Sequence, residues 1–479
     1  MALPPPAMPP SARHVSRILL RGRRPRVWIP GGGRRTTTAT MTRSRFSSSS
    51  PSGSSSTMQS EAYRSHSSRQ YGAHVGCADM LEGCMERMAM RASLEDLGSG
   101  GGRRRRRRRI SDLGSADGTN SLRTLREALG YLRRHSASRH LPSSISTPQF
   151  PAHVTFEEHP SSDESELRSV LSREEEWFRE NDVTHSVLMK SFYEPLFEPE
   201  SMDFVMSHIC LHWLDASDIA DEEGGVSNWK RLPRDDDESL GADDDESSLN
   251  FTMMNEATAP SRLREAWRTK LANVHLAKFL ALRSAELRPG AEMLLVMVGY
   301  PNGFVVPPRA SDGTSRGDEE AECCPLTRAM RRCVRRGTVR EEVLRRTLVP
   351  YYCRTADDVR EAFDLAATID IDIDADAGIE GEAPQPVFNP GALLELVDVR
   401  SYPVAVGGGA DSVDGLFELF RAIHLSAVKA AGPTEEELEH IESEARQVFE
   451  ETYDAQEGAE VHYVACVARR RTRPRWSAK

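Results

Sequence analysis

The sequence predicts an α/β fold, a doubly wound sheet with an inserted α-helical cap. Short apolar segments that suit buried strands alternate with longer segments whose apolar residues recur at helical spacing. A glycine-containing turn joins the first of these strands to a helix, and doubly wound sheets bind their ligands at such turns. Further helical segments follow the fourth and fifth strands, where they would cover the ligand-binding edge of the sheet.

Composition limits the classes of function. The 479 residues, 38% of them hydrophobic, are enough for one large domain or two smaller ones. The net charge is −11, and residues 1–60 contain ten arginines and no acidic residue, so the rest of the chain carries −21. Such an acidic body argues against nucleic acid as a specific partner. No apolar run approaches the roughly 20 residues that span a bilayer, so we expect no membrane span.

The eight cysteines are scattered and form no C-x-x-C pair, and no group of histidines has zinc-finger spacing. Scattered thiols suit a reducing compartment, and they give no sign of a structural zinc site.

The first 60 residues resemble a targeting segment, since they are rich in arginine, serine and threonine. We expect them to be disordered and to direct import into a plastid or a mitochondrion, between which the composition does not distinguish. The alternative is a disordered tail without a targeting role, which would leave the protein in the cytoplasm.

Seven consecutive arginines, Arg103–Arg109, follow a glycine-rich stretch. Blocks of like charge repel one another and stay solvated, which predicts a mobile insertion ahead of the first core strand. A nucleic-acid-binding or nuclear-localisation segment is the alternative.

The expected division of the chain follows from these patterns. The segments are a disordered stretch at 1–60, the first part of the core at 61–214 with a Gly/Arg insert at 98–109, an acidic insert and a cap or linker helix at 215–275, core at 276–299, a helical cap with flexible inserts at 300–390, the end of the core at 391–470, and a basic tail at 471–479.

Individual elements are predicted from periodicity and capping signals. The predicted strands end near Ile110 and cover 153–158, 186–192, 202–214, 292–299, 394–404 and 460–467. The predicted helices cover 61–97, 121–135, a segment from 263 to 282, 325–336, 355–367, 412–430 and 434–453.

The turn after the first strand reads I-S-D-L-G-S-A-D-G-T-N at 110–120. Glycines let a ligand approach the backbone, and the helix that follows, capped by Thr119 or Asn120, offers free N–H groups. The acid Asp112, two residues before Gly114, favours a ligand with a positive group over a pyrophosphate. An ordinary strand-to-helix turn is the alternative.

Two other strand ends carry polar or aromatic residues. Glu158 ends the second strand, where an acid can bind the two ribose hydroxyls of a nucleoside, although it could also be a solvated strand end. His212 and Trp213 lie where the fourth strand meets its loop, and their alternative role is simple core packing.

Several stretches together resemble one family, the plant-type SABATH methyltransferases, which methylate small carboxylic acids or the ring nitrogens of xanthines. The matching stretches are the turn at 110–120, K-S-F-Y-E-P-L-F at 190–197, M-S-H-I-C-L-H-W-L at 206–214, L-V-P-Y-Y at 348–352 and the closing strand H-Y-V-A-C-V. The resemblance covers roughly residues 61–470. It implies a class I methyltransferase fold with a Rossmann-like sheet, S-adenosyl-L-methionine as cofactor, and a small carboxylic acid as the acceptor.

The resemblance also implies roles for individual residues. The residues that would bind the cofactor are Asp112, Gly114, Asn120, Glu158, His159, Ser191 and Phe192. The residues that would bind the substrate are Tyr71, His212 and Trp213, with the indole against the acceptor carboxylate.

The chain departs from the family at two places. An N-terminal motif is reduced to Tyr71 and its neighbours, so that the family's Asn falls at His74 and its carboxylate-binding Gln falls near Ala78. The ligands of the family's magnesium site fall at His275 and Ala281, so we expect no tightly bound metal.

A carboxylate acceptor needs no general base, because its pKa near 4 leaves it ionised at neutral pH. We therefore expect no catalytic acid or base, only residues that position the reactants. The lost Gln keeps open transfer to a nitrogen or another heteroatom. The altered Y-G-A-H and E-E-H-P stretches keep open a catalytically degenerate binding module. The resemblance also suggests a homodimer.

Overall fold

A single seven-stranded sheet organises the computed structural model. The structure describes residues 71–98, 106–137, 150–214, 250–254, 256, 258–300, 324–369, 393–406, 410–452 and 459–472. All of them belong to one compact unit, Ser52–Lys479. The targeting-like segment at 1–60, the acidic insert at 215–249 and most of the basic tail lie outside the described residues.

The strands are β1 (Arg108–Leu113), β2 (Ala152–Glu158), β3 (Val183–Met189), β4 (Met202–His208), β5 (Leu287–Val298), β6 (Leu394–Val406) and β7 (Ala459–Arg470). Their order in the sheet is β3-β2-β1-β4-β5-β7-β6. Neighbouring strands among β1 to β5 are parallel, whereas β7 runs antiparallel to both β5 and β6. The order reverses between β1 and β4, and open α/β sheets bind ligands at that point.

The helices are α1 (Ala78–Gly98), α2 (Thr119–Ala137), α3 (Glu164–Arg173), α4 (Glu175–Glu180), α5 (Ser261–Trp267), α6 (Asn273–Glu286), α7 (Pro325–Arg336), α8 (Glu341–Arg346), α9 (Ala356–Ala366), α10 (Ala410–Ala430) and α11 (Glu435–Thr452). One turn of π-helix, Arg268–Ala272, joins α5 to α6. None of these helices combines the length and the apolar character that crossing a bilayer requires.

The sheet is covered on both faces, as the sequence predicts. One core cluster takes in Met80, Leu81, Cys84 and Met88 of α1, so this methionine-rich stripe is core packing. The same cluster includes apolar residues of α2, α3 and α4. The opposite cluster joins β5 to α6 and α9. The predicted doubly wound α/β fold is therefore confirmed.

The helical cap differs from its predicted extent. Helix α9 was expected in the cap, but its apolar residues Val359, Ala362 and Phe363 lie in the same core cluster as Met293 of β5. That helix therefore belongs to the layer on the sheet. The cap helix α7 packs instead with α11 from the end of the chain, with Arg332 within 2.8 Å of Glu451. Helix α8 was not predicted.

Both capping signals that the sequence offers are realised. Thr355 and Asp358 form a capping box at the start of α9. Thr434 accepts a hydrogen bond from the backbone N–H of Glu437 at 3.1 Å, and the Glu437 carboxylate accepts one from the N–H of Thr434 at 2.8 Å. These bonds satisfy N–H groups that the helix itself leaves unpaired.

The described part of the arginine run is not a solvated insertion. Arg108 and Arg109 belong to β1, and Arg108 is buried with its guanidinium 2.6 Å from Glu95. Arg106 donates to Asp203 at 2.9 Å, and Arg107 lies 2.7 Å from Asp182. Acids of α1, of β4 and of the turn before β3 pair with Arg106, Arg107 and Arg108, so the described part of the run is a structural edge of the sheet. Residues 99–105 lie outside the described residues.

Two strand ends also differ from the prediction. Strand β4 ends at His208 rather than at residue 214, because Ile209 adopts a left-handed conformation (φ 59°) that turns the chain away. Strand β5 begins at Leu287, so that Pro289 and Gly290 lie within it. They occupy an irregularity in its pairing with β4, where Met202 pairs with Leu287 but Phe204 pairs with Glu292.

Candidate active site

The turn after β1 is shaped by close backbone packing. Gly114 has a φ of 75°, and a Cβ there would lie 2.6 Å from Cβ of Cys210. Gly118 has a φ of 85°, and a Cβ there would lie 2.7 Å from a methyl carbon of Leu167. Both positions need glycine, because a side chain would meet neighbouring atoms as well as an unfavourable backbone conformation.

Helix α2 begins directly after this turn. Asp117, rather than the predicted Thr119 or Asn120, provides the capping side chain. Its two carboxylate oxygens accept bonds of 3.0 Å from the backbone N–H and from the hydroxyl of Thr119. Asn120, in the first turn of α2, lines a cleft at the start of the helix.

This cleft lies where the sheet order reverses. It has an empty volume of about 400 Å³, which includes space open to solvent. Its described lining consists of Tyr71, His74, Asp112, Gly114, Ser115, Asn120, Ser121, Thr124, His208 and Ile209. Four of the predicted site residues are therefore brought together, namely Tyr71, Asp112, Gly114 and Asn120.

Asp112 is the buried acid of the cleft. Burial raises its pKa to about 7, and the neighbouring Glu158 adds to the rise, although hydrogen bonding with Ser121 and Ser115 opposes it. Since an ionised carboxylate in such a place needs a compensating charge, Asp112 suits a ligand that brings a cation.

The two acids that end β2 hold the turn from the other side. Glu157 is fully buried; its Oε2 accepts a bond of 3.0 Å from the N–H of Gly114, whereas its Oε1 makes no hydrogen bond. Burial raises the pKa of Glu157 well above its usual value. Glu157 was not predicted as a site residue. Neighbouring residues of a strand face opposite sides of the sheet, and the sequence does not indicate which of the two acids contacts Gly114.

Glu158 lies half-buried beside the turn. Its Oε2 accepts a bond of 2.5 Å from the N–H of Ala116, and its Oε1 accepts bonds of 2.9 Å from the N–H of His159 and the hydroxyl of Ser162. His159 itself is exposed, with Nδ1 2.6 Å from the hydroxyl of Ser161. Both residues lie at the cofactor turn but outside the cleft lining.

Ser191 and Phe192 follow β3 and also lie outside the cleft lining. The Ser191 hydroxyl accepts a bond of 3.3 Å from the N–H of Tyr193. The Phe192 ring centroid lies 6.1 Å from that of Phe279 on α6, in an edge-on contact. These residues pack on the face of the sheet that α6 covers.

His212 and Trp213 form an aromatic group with Tyr351. The His212 ring centroid lies 5.4 Å from that of Trp213 and 4.7 Å from that of Tyr351, while Trp213 pairs with Tyr351 through an antiparallel bridge. Burial lowers the pKa of His212 to about 3, with Arg354 and His424 adding to the effect. The imidazole is therefore neutral. This group joins the loop after β4 to the V-P-Y-Y segment of the cap.

Three polar residues were not predicted as functional, namely His74 and His208, which line the cleft, and Glu127, which contacts His74. The Nε2 atom of His74 lies 2.8 Å from Oε2 of Glu127, and its Nδ1 lies 3.5 Å from Nε2 of His208. Tyr71 donates its hydroxyl proton to the same Glu127 carboxylate. The Arg123 guanidinium stacks 3.3 Å from the centre of the Tyr71 ring.

This group brings a histidine and a carboxylate into contact at the cleft, a pairing that the sequence did not predict. Burial lowers the pKa of His74 and lowers that of His208 to about 3, so both imidazoles are neutral. Burial would raise the pKa of Glu127, but hydrogen bonds from Tyr71 and His74 hold it below its usual value. No local pattern indicates this pairing, because His74 and Glu127 are 53 residues apart and meet only when α1 packs on α2.

Comparison with known proteins agrees with this geometry. A family model described as "SAM dependent carboxyl methyltransferase" matches residues 55–375. A curated relative, "Methyltransferase FUS9" of Gibberella moniliformis (strain M3125 / FGSC 7600), is 24% identical over 307 residues, which cover 63% of this chain and 65% of that protein. The match thus spans slightly less than two thirds of the relative.

A solved structure of "Loganic acid methyltransferase with SAH" shares the fold. It superposes with a TM-score of 0.55 at 16% sequence identity, covering 87% of this chain and 98% of that one. At this identity the likeness concerns the fold alone, and it confirms the class I methyltransferase architecture.

Proposed function

The chain belongs to the family of S-adenosylmethionine-dependent carboxyl methyltransferases, and we propose that it transfers the methyl group of that cofactor to the carboxylate of a small-molecule acid. The observation that carries the proposal is the cleft at the reversal of the sheet order, where the Gly114 turn, the buried Asp112 and the start of α2 converge. This is the ligand-binding position of doubly wound sheets.

The residues present fit the cofactor. Gly114 lines the cleft and carries no side chain, so a ligand can approach its backbone closely. Asp112 can pair with the ammonium of the methionine part, and Asn120 at the start of α2 can donate to its carboxylate. S-adenosylmethionine supplies an electrophilic methyl group on a sulfonium sulfur.

The remaining assignments extend this cofactor site. We place Glu158 against the ribose hydroxyls, with His159 beside it, and Ser191 and Phe192 beside the adenine. Oε2 of Glu158 accepts one bond, from Ala116, and a carboxylate oxygen has two acceptor sites, so a ribose hydroxyl can donate to it as well.

The acceptor acid would lie between Tyr71 and the aromatic group of His212 and Trp213. Its carboxylate is ionised at neutral pH, so one of its oxygens is a ready nucleophile. His212 is neutral, so it does not form an ion pair with the acceptor carboxylate. The Trp213 indole offers a planar surface on which an aromatic or apolar acid can pack. Orientation and exclusion of water are then the contributions of the protein.

The test is transfer of a labelled methyl group. Full-length protein is incubated with methyl-labelled S-adenosylmethionine and a panel of aromatic, terpenoid and fatty acids, and the labelled product is treated with mild base. A methyl ester releases labelled methanol under these conditions, which is the expected result. Label that survives the base would mean transfer to nitrogen or another heteroatom. Turnover of none of the acids by protein that binds the cofactor would favour a binding module.

The His74–Glu127 pair favours a second candidate, methylation of an acceptor that must lose a proton. A neutral imidazole held by a carboxylate can accept a proton from a phenol or a ring N–H. For such an acceptor, His74→Asn would abolish turnover. For a carboxylic acid, the same substitution would leave kcat within about tenfold of the parent, since no proton is removed.

Two further proposals concern the whole protein. A homodimer is tested by sedimentation of the full chain. Import into a plastid or mitochondrion through residues 1–60 is tested by fusing that segment to a fluorescent protein; uniform cytoplasmic fluorescence would contradict it.

A further inference from the structure

Three side chains at one end of the cleft have the composition of a transition-metal site. They are His74 and Cys77, which lie in the turn before α1, and His208 at the end of β4. One ligand atom from each lies within 4.8 Å of the other two. His74 and His208 line the cleft, whereas Cys77 is fully buried behind them. Histidine and cysteine are the side chains that zinc prefers.

The separation of the two imidazoles suits a shared cation better than a direct hydrogen bond. Nδ1 of His74 and Nε2 of His208 lie 3.5 Å apart. Hydrogen bonds donated by N–H groups usually measure about 2.7 to 3.2 Å between heavy atoms. Two nitrogens bound to one tetrahedral zinc at about 2.0 to 2.1 Å are separated by about 3.4 Å. The observed distance therefore lies closer to the spacing of two metal ligands.

Glu127 orients the imidazole of His74 so that Nδ1 can bind a cation. Its carboxylate accepts a hydrogen bond at Nε2 of His74, with 2.8 Å between the atoms. Since an ionised carboxylate is only an acceptor, Nε2 carries the proton and the lone pair of Nδ1 faces His208 and Cys77. A carboxylate that orients a histidine in this way is a regular partner of metal-binding histidines.

The third ligand needs only a local change. The Cys77 thiol lies 3.3 Å from the backbone oxygen of His74, to which it donates. On metal binding the S–H proton would pass to solvent, and the thiolate would turn from that oxygen toward the cation. A divalent cation with one thiolate and two neutral imidazoles carries a net charge of +1.

We propose that His74, Cys77 and His208 bind a zinc-type divalent cation whose open fourth position faces the cleft and takes one oxygen of the acceptor carboxylate. The inference rests on the proposed function for the identity of this fourth ligand. It supplies a partner for the acceptor carboxylate, in place of the resembling family's Gln, which falls near Ala78 in this chain. The second carboxylate oxygen remains free to attack the methyl group. This departs from the sequence prediction that no metal is tightly held.

The first test measures the metal without reference to activity. Full-length protein is stripped with a chelator and dialysed against Zn²⁺, and the bound metal is counted. Co²⁺ is then substituted, because a cobalt–thiolate bond gives a charge-transfer absorption that nitrogen and oxygen ligands do not. We expect one ion per chain and that absorption.

Matched variants locate the ion. Cys77→Ser should remove the thiolate absorption and weaken Zn²⁺ binding at least tenfold, and His208→Gln should weaken binding similarly. Cys84→Ser changes a buried thiol of α1 and should leave the thiolate absorption and the Zn²⁺ affinity unchanged. Circular dichroism checks that each variant is folded. If Cys77→Ser fails to fold, the Zn²⁺ affinity of His208→Gln tests whether the ion binds at this site. Binding below one ion per chain, or binding that Cys77 and His208 variants retain, would overturn the proposal.

The last measurement separates this inference from the proposed function. Removing the metal should raise the KM of the acid at least tenfold and leave the Kd of S-adenosylmethionine unchanged. An unchanged KM with normal methyl-ester formation would overturn the metal's role and leave the proposed function standing. Metal binding without any methyl transfer would overturn the proposed function instead. It would also overturn the assignment of the acceptor carboxylate as the fourth ligand.

Discussion

His74, which lines the cleft, is hydrogen-bonded to Glu127 of α2, with 2.8 Å between Nε2 and Oε2. The same carboxylate accepts the hydroxyl proton of Tyr71. One residue of α2 thus positions two side chains that precede α1 and that line the same cleft as the turn after β1.

Glu127→Gln should disturb the acceptor end of the cleft. An amide has one acceptor oxygen, so it cannot accept hydrogen bonds from both Tyr71 and His74 with two oxygens as the carboxylate does. We expect the KM of the acid to rise by about tenfold, since a lost buried hydrogen bond costs about 1 to 2 kcal/mol. Steady-state kinetics measure the effect. Glu82→Gln, which changes an exposed partner of His135, is the control and should leave KM unchanged.

Asp112 should make cofactor binding depend on pH. Its pKa is raised to about 7, so the ionised form that pairs with the ammonium of S-adenosylmethionine is lost as the pH falls below 7. Such a group is about 3% ionised at pH 5.5 and about 50% ionised at pH 7, so the affinity should rise roughly tenfold over that interval. Calorimetry at several pH values measures it. Asp112→Asn should bind weakly at every pH; a pH dependence that survives this substitution would assign the effect to another group.

Gly114→Ala should destabilise the fold and the turn together. A Cβ at this position would lie 2.6 Å from Cβ of Cys210, and the backbone has a φ of 75°. We expect the free energy of unfolding to fall by about 2 kcal/mol or more. Gly130→Ala is the matched control, because this helical glycine has no atom within 4 Å of the added Cβ. That change should raise the stability by about 0.5 to 1 kcal/mol. Equal effects of the two substitutions in denaturant titrations would contradict the packing argument.

Trp213→Ala should affect the acceptor and not the cofactor. The indole packs edge-on against Tyr351, with 5.7 Å between ring centroids. Removing it should lower kcat/KM for the acid on the order of a hundredfold, the usual effect of lost substrate orientation, at an unchanged Kd for S-adenosylmethionine. Trp177→Ala removes an indole that packs on Phe178 and Arg126. Trp177→Ala should lower the free energy of unfolding and leave kcat/KM for the acid unchanged. Unchanged turnover in the Trp213 variant would show that the indole does not position the substrate.

The fold could be predicted because its signals are local. Periodicity identified the helix that follows the turn, and the pairs Thr355–Asp358 and Thr434–Glu437 marked where two helices begin. The exceptions have local physical causes. Ile209 leaves β4 through a left-handed conformation, which a branched residue rarely adopts and which its sequence does not signal.

The site could be predicted only where one stretch of chain contains it. The turn from Asp112 to Asn120 is such a stretch, and the structure places it in the cleft. The pairing of His74 with Glu127 and His208 depends on how α1 packs against α2 and on the end of β4. Likewise, the acidic partners of Arg106 and Arg108 come from β4 and α1. The sequence shows only a local block of like charge, which predicts that these arginines are solvated.

The most direct test of the account is a calorimetric titration of the full-length protein with S-adenosylmethionine and S-adenosylhomocysteine. The account predicts micromolar binding of both at one site per chain, abolished by Asp112→Ala in a variant that remains folded. Absence of binding by folded wild-type protein, or binding that the Asp112 variant retains, would contradict the assignment of the cleft as the cofactor site.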